Sequence, residues 1–221
     1  MYYSLINSMN RSAGYIFPSG MVSSYSANGS FNDSTGSNNL TAVNGIIATG
    51  TPKLGSGSFS SNGANNYAIT SRGVFNFTSF SYNGWFKFNT LNGGIFEYQD
   101  NDNGFRFVAN SDGTMFFRLF FTNGSFSSET TSIQLNTTSY IHISLNFELG
   151  VGSKIYINGS LIHTYNTALT PKYTVSPFYS IGGGGWAGFC NCLTDSVQVF
   201  NRALNSTEIS SIYNSGIGRE V

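Results

Sequence analysis

Ten carboxylates, two histidines and two cysteines are all the chain offers for acid–base, nucleophilic or metal chemistry. The acids are Asp33, Glu97, Asp100, Asp102, Asp112, Glu129, Glu148, Asp195, Glu208 and Glu220. Cleaving a glycosidic bond takes two carboxylates that face one bond across a cleft. Glu97 and Asp100 lie close in the chain, but in a stretch that reads as a hairpin. His142 and His163 fall on different predicted strands, with no Gly-x-Ser-x-Gly elbow and no readable Cys–His dyad. Both read as core or sheet-surface histidines. Cys190 and Cys192 stand at i and i+2, on one side of a strand. A disulfide at that spacing strains the backbone, and zinc needs more Cys or His than the chain supplies. They read as two buried free thiols. Asp100-Asn101-Asp102-Asn103-Gly104 begins like an EF-hand loop, but the distal Glu is missing, so it reads as a turn. No catalytic residue is assigned, and the expectation is a protein that is not an enzyme.

Binding chemistry has more material. Sugar recognition uses an exposed aromatic face beside amide or carboxylate groups. The chain holds 13 Tyr, 20 Phe and 2 Trp, most of which must build a core. Trp186 follows Gly182-Gly183-Gly184-Gly185, in a predicted loop where little can bury it. It is a candidate for stacking on a sugar or sealing a subunit interface; folding back onto its own sheet is the alternative. Asn10, Asn28, Asn32, Asn39, Asn76, Asn123, Asn136, Asn158 and Asn205 match the Asn-x-Ser/Thr acceptor pattern and are N-glycosylation candidates. A chain this rich in Asn, Ser and Thr also forms such triplets by chance.

The elements that must hold these groups are strands. Short β-branched and aromatic runs recur between Gly and Asn turns. Residues 80–88, 94–98, 104–108, 114–121 and 140–147 fit this pattern, as does 197–200. Residues 154–157 and 160–164 flank Asn158-Gly159, the favoured type I′ hairpin pair. One helix is predicted near the end. Asn205 is its N-cap, Glu208 completes a capping box, Ile209, Ile212 and Tyr213 share a face, and Gly216 suits the stop. At about two turns it must dock on the sheets to persist. Residues 1–20 read as an N-terminal arm or edge strand, and 21–221 as one domain. Residues 23–45 read as loops leading into one strand.

Charged residues make up 9% of the chain, against about 25% in an average globular protein. Ten basic and ten acidic residues leave no net charge, so there is no electrostatic case for nucleic acid or a polybasic membrane anchor. No apolar run is long enough to span a bilayer, and residues 1–7 have neither a basic nor an unbroken apolar leader region. The Asn, Ser, Thr and Gly surface looks external. The expected place is extracellular or on a virion surface.

Several motifs, in order, resemble the laminin-G-like, concanavalin A-like lectin/glucanase superfamily. Residues 28–40 are similar to its opening Asp loop, 57–67 to its strand-turn with Phe and Tyr, and 80–87 to its Trp-bearing strand. His142 with Lys154-Ile155-Tyr156-Ile157-Asn158-Gly159, then Ile181-Gly182-Gly183, then residues 195–209, continue the likeness. Tyr140 stands where the family often has Trp. The resemblance implies an all-β, two-sheet antiparallel jelly-roll sandwich with a short C-terminal helix. It implies that Trp85 is a buried strand Trp. It also implies a Ca²⁺ site near the sandwich edge, carried over to Asp33 and Asp195, with Asn38 or Asn39 completing the shell. An Asx turn at Asp33 and backbone N–H bonds at Asp195 are the alternative. The family's glucanase branch carries Glu-x-Asp-x-x-Glu on one strand, and this chain has no such triplet.

The expected function is therefore a non-catalytic adhesion or glycan-binding module, with glycans or neighbouring structural subunits as partners and a homo-oligomer as one arrangement. A purely structural capsid, decoration or spike subunit is the alternative, and a glycoside hydrolase the minor one.

Overall fold

The computed structural model describes residues 15–99, 102–135, 137–173, 177–185 and 188–221. Among these, the alternating and aromatic-rich runs become sixteen strands. In chain order they are β1 (Met21–Tyr25), β2 (Thr41–Val43), β3 (Phe59–Ser60), β4 (Tyr67–Ile69), β5 (Phe80–Thr90), β6 (Gly93–Gln99), β7 (Gly104–Ala109) and β8 (Met115–Phe120). There follow β9 (Phe126–Thr130), β10 (Ile141–Glu148), β11 (Gly152–Ile157), β12 (Ser160–Asn166), β13 (Phe178–Ile181), β14 (Gly183–Gly185), β15 (Gly188–Phe189) and β16 (Asn191–Phe200). Helix α1 (Ser206–Tyr213) and a 3₁₀ turn at Asn214–Gly216 close the chain.

The strands form two sheets. A seven-stranded sheet runs β1-β16-β5-β10-β11-β12, with β3 also on β16. A nine-stranded sheet runs β2-β4-β13-β6-β7-β8-β9, with the β14–β15 hairpin attached to β6. All ladders are antiparallel except the single Phe189↔Gly94 contact of β15 with β6. This is the expected two-sheet antiparallel sandwich. Asn158 and Gly159 join β11 to β12 with φ of 49° and 77°, the paired positive angles a type I′ turn demands.

Successive side chains of a strand face opposite ways. On β10, Ile141, Ile143, Leu145 and Phe147 enter the space between the sheets, while His142, Ser144 and Asn146 face the other side. From the nine-stranded sheet, Phe96, Tyr98, Phe105, Phe107 and Phe117 meet them. Phe80 stacks on Phe105 at 4.9 Å, and Tyr82 meets the same ring edge-on at 4.8 Å. Each such pair adds about 0.5–1.5 kcal/mol beyond area burial. Cys190 and Cys192 lie in this core as free thiols.

The outer face of the seven-stranded sheet is covered. Tyr156, Phe200 and Leu204 form a second apolar cluster with Ile209 and Ile212 of α1. Phe17, just before β1, packs against it. The capping box forms as expected: the Asn205 side chain accepts from the Glu208 N–H, and the Glu208 carboxylate accepts from the Asn205 N–H. The stop differs. Asn214 takes the left-handed conformation (φ 50°, ψ 51°), two residues before Gly216. Asn tolerates that region better than other side chains. Trp85 is buried as expected, but beneath the C-terminal segment rather than between the sheets: its ring lies 5.7 Å from Tyr213 and 5.2 Å from His142.

The described end of the expected arm lies on its own domain. Arg202 donates from Nε to the Ser19 carbonyl, and the Arg219 guanidinium sits 3.8 Å over the Tyr15 ring. Residues 1–14 lie outside the described residues.

Candidate functional site

With α1 occupying one outer face, the outer face of the nine-stranded sheet is the other large surface that β-pleat parity creates. On β8, Met115, Phe117 and Leu119 turn inward, so Phe116, Arg118 and Phe120 turn outward. Cross-strand pairing sets their neighbours. Arg118 is opposite Arg106 of β7 and Ser128 of β9; Arg106 is opposite Glu97 of β6; Phe120 is opposite Phe126 of β9. The β6 end of this row is shut in, with Glu97 only 2% exposed. The β9 end is open, and Phe126 is 52% exposed.

Rings and guanidiniums interleave there. The Arg118 Cζ lies 4.5 Å from the Phe126 ring centre and 5.2 Å from that of Phe116. The Arg106 Cζ lies 5.8 Å from Phe116. Beside this row is a cavity of about 190 Å³, lined by Asp102, Arg118, Phe120, Phe126 and Lys172 among others. Lys172 is placed by its backbone: its N–H donates to the Phe120 carbonyl, and its carbonyl accepts from the Gly104 N–H. The β8–β9 turn is held by Asn123, whose Oδ1 accepts from the Ser125 N–H and hydroxyl. Burial and the like charge of Arg118 push the Arg106 pKa down, opposed by Glu97 and Asp102. An aromatic platform, two kinds of cation and one carboxylate thus converge on a hollow, which suits a flat polar ligand with hydroxyl and acidic groups.

None of these side chains was singled out as a binding residue by the sequence. The alternation of β8 is masked because Met115, Phe116, Phe117, Leu119 and Phe120 are all apolar, so no period-two signal shows which set faces out. Arg118 within that run was the one available clue.

The residues that the sequence did single out are distributed differently. Asp33 Oδ1 accepts from the N–H groups of Ser24 (2.8 Å) and Thr35 (2.9 Å), and Oδ2 from the Thr35 hydroxyl (2.8 Å) and the Asn38 N–H (3.1 Å). Burial raises its pKa, but these bonds outweigh burial and the net shift is downward. Asn39 Oδ1 accepts from the Asp33 N–H, and Asn38 Nδ2 donates to Ser23 Oγ. Asp195 is fully buried; its Oδ2 accepts from the N–H groups of Lys53 (2.7 Å) and Leu54 (2.9 Å), and its Oδ1 has no hydrogen-bond partner. Burial pushes its pKa up to about 7, with those two N–H groups opposing. A cation at Asp33 would have to displace four protein donors. Among the described residues, no three His, Cys, Asp or Glu side chains gather as a metal site.

Trp186, Asn10 and Asn136 lie outside the described residues, as do Asp100 and Asn101. Gly185 and Gly188, on either side of Trp186 and Ala187, pair with each other in the β14–β15 hairpin. The sequon residues Asn28, Asn32, Asn39, Asn76, Asn123, Asn158 and Asn205 are exposed. His142 is buried with neither ring nitrogen bonded, and burial drives its pKa down to about 3. His163 pairs with Glu129 at 3.2 Å, bridging the edges of the two sheets. Among the described residues, no helix is long and apolar enough to cross a membrane.

Two antiparallel sheets stacked in this order, with a short closing helix, define a lectin-like jelly roll. The chain belongs to the concanavalin A-like lectin/glucanases superfamily, whose Laminin G type 3 family model matches residues 62–210. No curated protein sequence matches the chain. Among solved structures it is similar to domain 4 of AbnA, a GH43 extracellular arabinanase from Geobacillus stearothermophilus, solved with arabinotriose. That similarity has a TM-score of 0.71 at 19% identity and covers 86% of this chain and 97% of that one. It is similar to the binding domain of Paraclostridial Mosquitocidal Protein 1 (TM-score 0.73, 20% identity, 89% of this chain and 52% of that one). It is also similar to the binding domain of botulinum neurotoxin DC solved with rat synaptotagmin II (TM-score 0.71, 16% identity, 89% and 51%). The chain spans about half the length of the two toxin binding domains.

Proposed function

We propose that this protein is a non-catalytic glycan-binding module that acts outside the cell or on a particle surface. The observation that carries the reading is the exposed Phe126–Arg118–Phe116 stack beside the cavity of Asp102 and Lys172. A sugar ring presents C–H groups to an aromatic face and hydroxyls to charged groups in the ring plane, and this surface offers both. Among the described residues the cavity lining contains one carboxylate, Asp102, where glycoside hydrolysis needs two across the bond. The similarity to a domain solved with arabinotriose supports a carbohydrate ligand. The external setting is supported by the weakly charged surface and by the extracellular enzyme that carries that domain. The packing of residues 15–20 on their own domain favours this reading over a structural subunit that reaches into its neighbour. The reading does not depend on calcium: the Phe126–Arg118–Phe116 stack lies on the opposite sheet from Asp195.

The test is a glycan array probed with the native chain and with Phe126→Ala. The expected result is binding to a defined set of glycans, weakened about tenfold or more by loss of the ring. Trp186→Ala, run beside it, tests the sequence-based candidate contact. Absence of binding to every glycan, or turnover of any of them, overturns the reading.

A further inference from the structure

Three of the ten basic side chains converge on the outer face of one sheet, in a protein with no net charge. Three basic groups elsewhere are used up in the fold. Arg202 is paired with Glu208, Lys53 donates to the Gly216 carbonyl, and Arg219 donates to the Ser211 carbonyl. Arg106 and Arg118 instead stand directly opposite each other on β7 and β8. Like charges in directly opposed cross-strand positions destabilise a sheet. The Nε atoms of both guanidiniums are buried without a hydrogen-bond partner. Among the described residues, the Arg118 terminal nitrogen reaches only the Ser128 hydroxyl, at 3.5 Å. Stacking on Phe116 and Phe126 occupies the guanidinium faces and leaves their edges, the fork that fits a carboxylate with two parallel hydrogen bonds. Lys172 lies on the same hollow as Arg118, with Asp102 as its one acid among the described residues.

We propose that the preferred ligand of this face is an acidic sugar, whose carboxylate seats between Arg118 and Lys172 while its ring lies against Phe126. Asp102 is then left to accept from the sugar hydroxyls and to reject ligands that present a second acid there. The inference rests on the glycan-binding reading and narrows it.

The experiment is calorimetric titration with matched pairs: oligogalacturonate against its methyl ester, and sialyllactose against lactose. Each is run at low and high salt, with the native chain, Arg118→Gln and Lys172→Gln, and thermal unfolding checks that both variants fold. The acidic member of at least one pair is expected to bind about tenfold or more tighter than its neutral partner. That preference should shrink with salt and be lost in Arg118→Gln and reduced in Lys172→Gln. If Arg118→Gln does not fold, the Lys172→Gln comparison decides. Equal binding of acid and neutral members overturns this inference and leaves the glycan-binding reading standing. Absence of binding by every sugar overturns both.

Discussion

Asp195 and His142 flank Trp85 from the neighbouring strands of the seven-stranded sheet, and both are ionisable groups held in their neutral-favouring surroundings. Their effects on stability run in opposite directions. The Asp195 pKa rises from 3.8 to about 7, so its contribution is complete below about pH 4 and is lost as pH climbs towards 7. The His142 pKa falls from 6.5 to about 3, so its contribution is complete above pH 6.5 and is lost as pH drops towards 3. Native stability between pH 4 and pH 6.5 is the sum of two opposed slopes. Asp195→Asn removes one of them. The stability of this variant relative to the native chain should rise from pH 4 to pH 7 and level off above, as read by chemical unfolding at each pH. A difference that is flat with pH would show that Asp195 does not titrate in this window. On the opposite sheet, Phe126→Ala removes a ring that is half in solvent, so it should shift Tm by little while weakening glycan binding. The acids and histidines were identifiable in the sequence as groups of interest. What each touches was not, because Lys53 and Leu54 reach Asp195 across more than 140 positions of chain.

Helix α1 was legible down to its first turn, because a capping box is a local signal of four residues, Asn205 to Glu208. Asn205→Ala should cost about 1 kcal/mol, or a Tm fall of roughly 2–4 °C for a domain of this size. Its docking contacts weigh more. Ile209→Ala opens a hole between α1 and Tyr156, Phe200 and Leu204, and should cost about 2–5 kcal/mol by denaturant unfolding. A loss below 1 kcal/mol would mean that the helix is not held to the sheet by this cluster. Strand β8 shows the limit of local reading. Its existence is written in five apolar residues and one arginine, but a strand apolar on both sides does not declare its outward face. That face is decided by the sandwich: Phe117 and Leu119 are claimed by the inter-sheet core, and the site is built from what remains.

Strand β16 is the last strand of the chain, yet it lies inside the seven-stranded sheet, between β1 and β5. Its pairing with β1 joins residues more than 170 positions apart. Such non-local closure is slow, with folding on the millisecond-to-second range for sandwiches of high contact order. A chain ending before Asn191 leaves β1 and β5 without their common partner and should not fold cooperatively, as followed by near-ultraviolet dichroism. Chelator should leave the native Tm unchanged, since Asp33 is satisfied by its own loop; a rise in Tm on adding Ca²⁺ would return that loop to the list of metal sites. The stacking of Arg219 on Tyr15 has an architectural meaning as well. Arg219 also donates to the Ser211 carbonyl of α1, so this contact ties the segment before β1 to the layer covered by the helix, while Phe126 and its cavity open from the other layer, and a ligand can be held on one side of the sandwich without disturbing the clasp on the other.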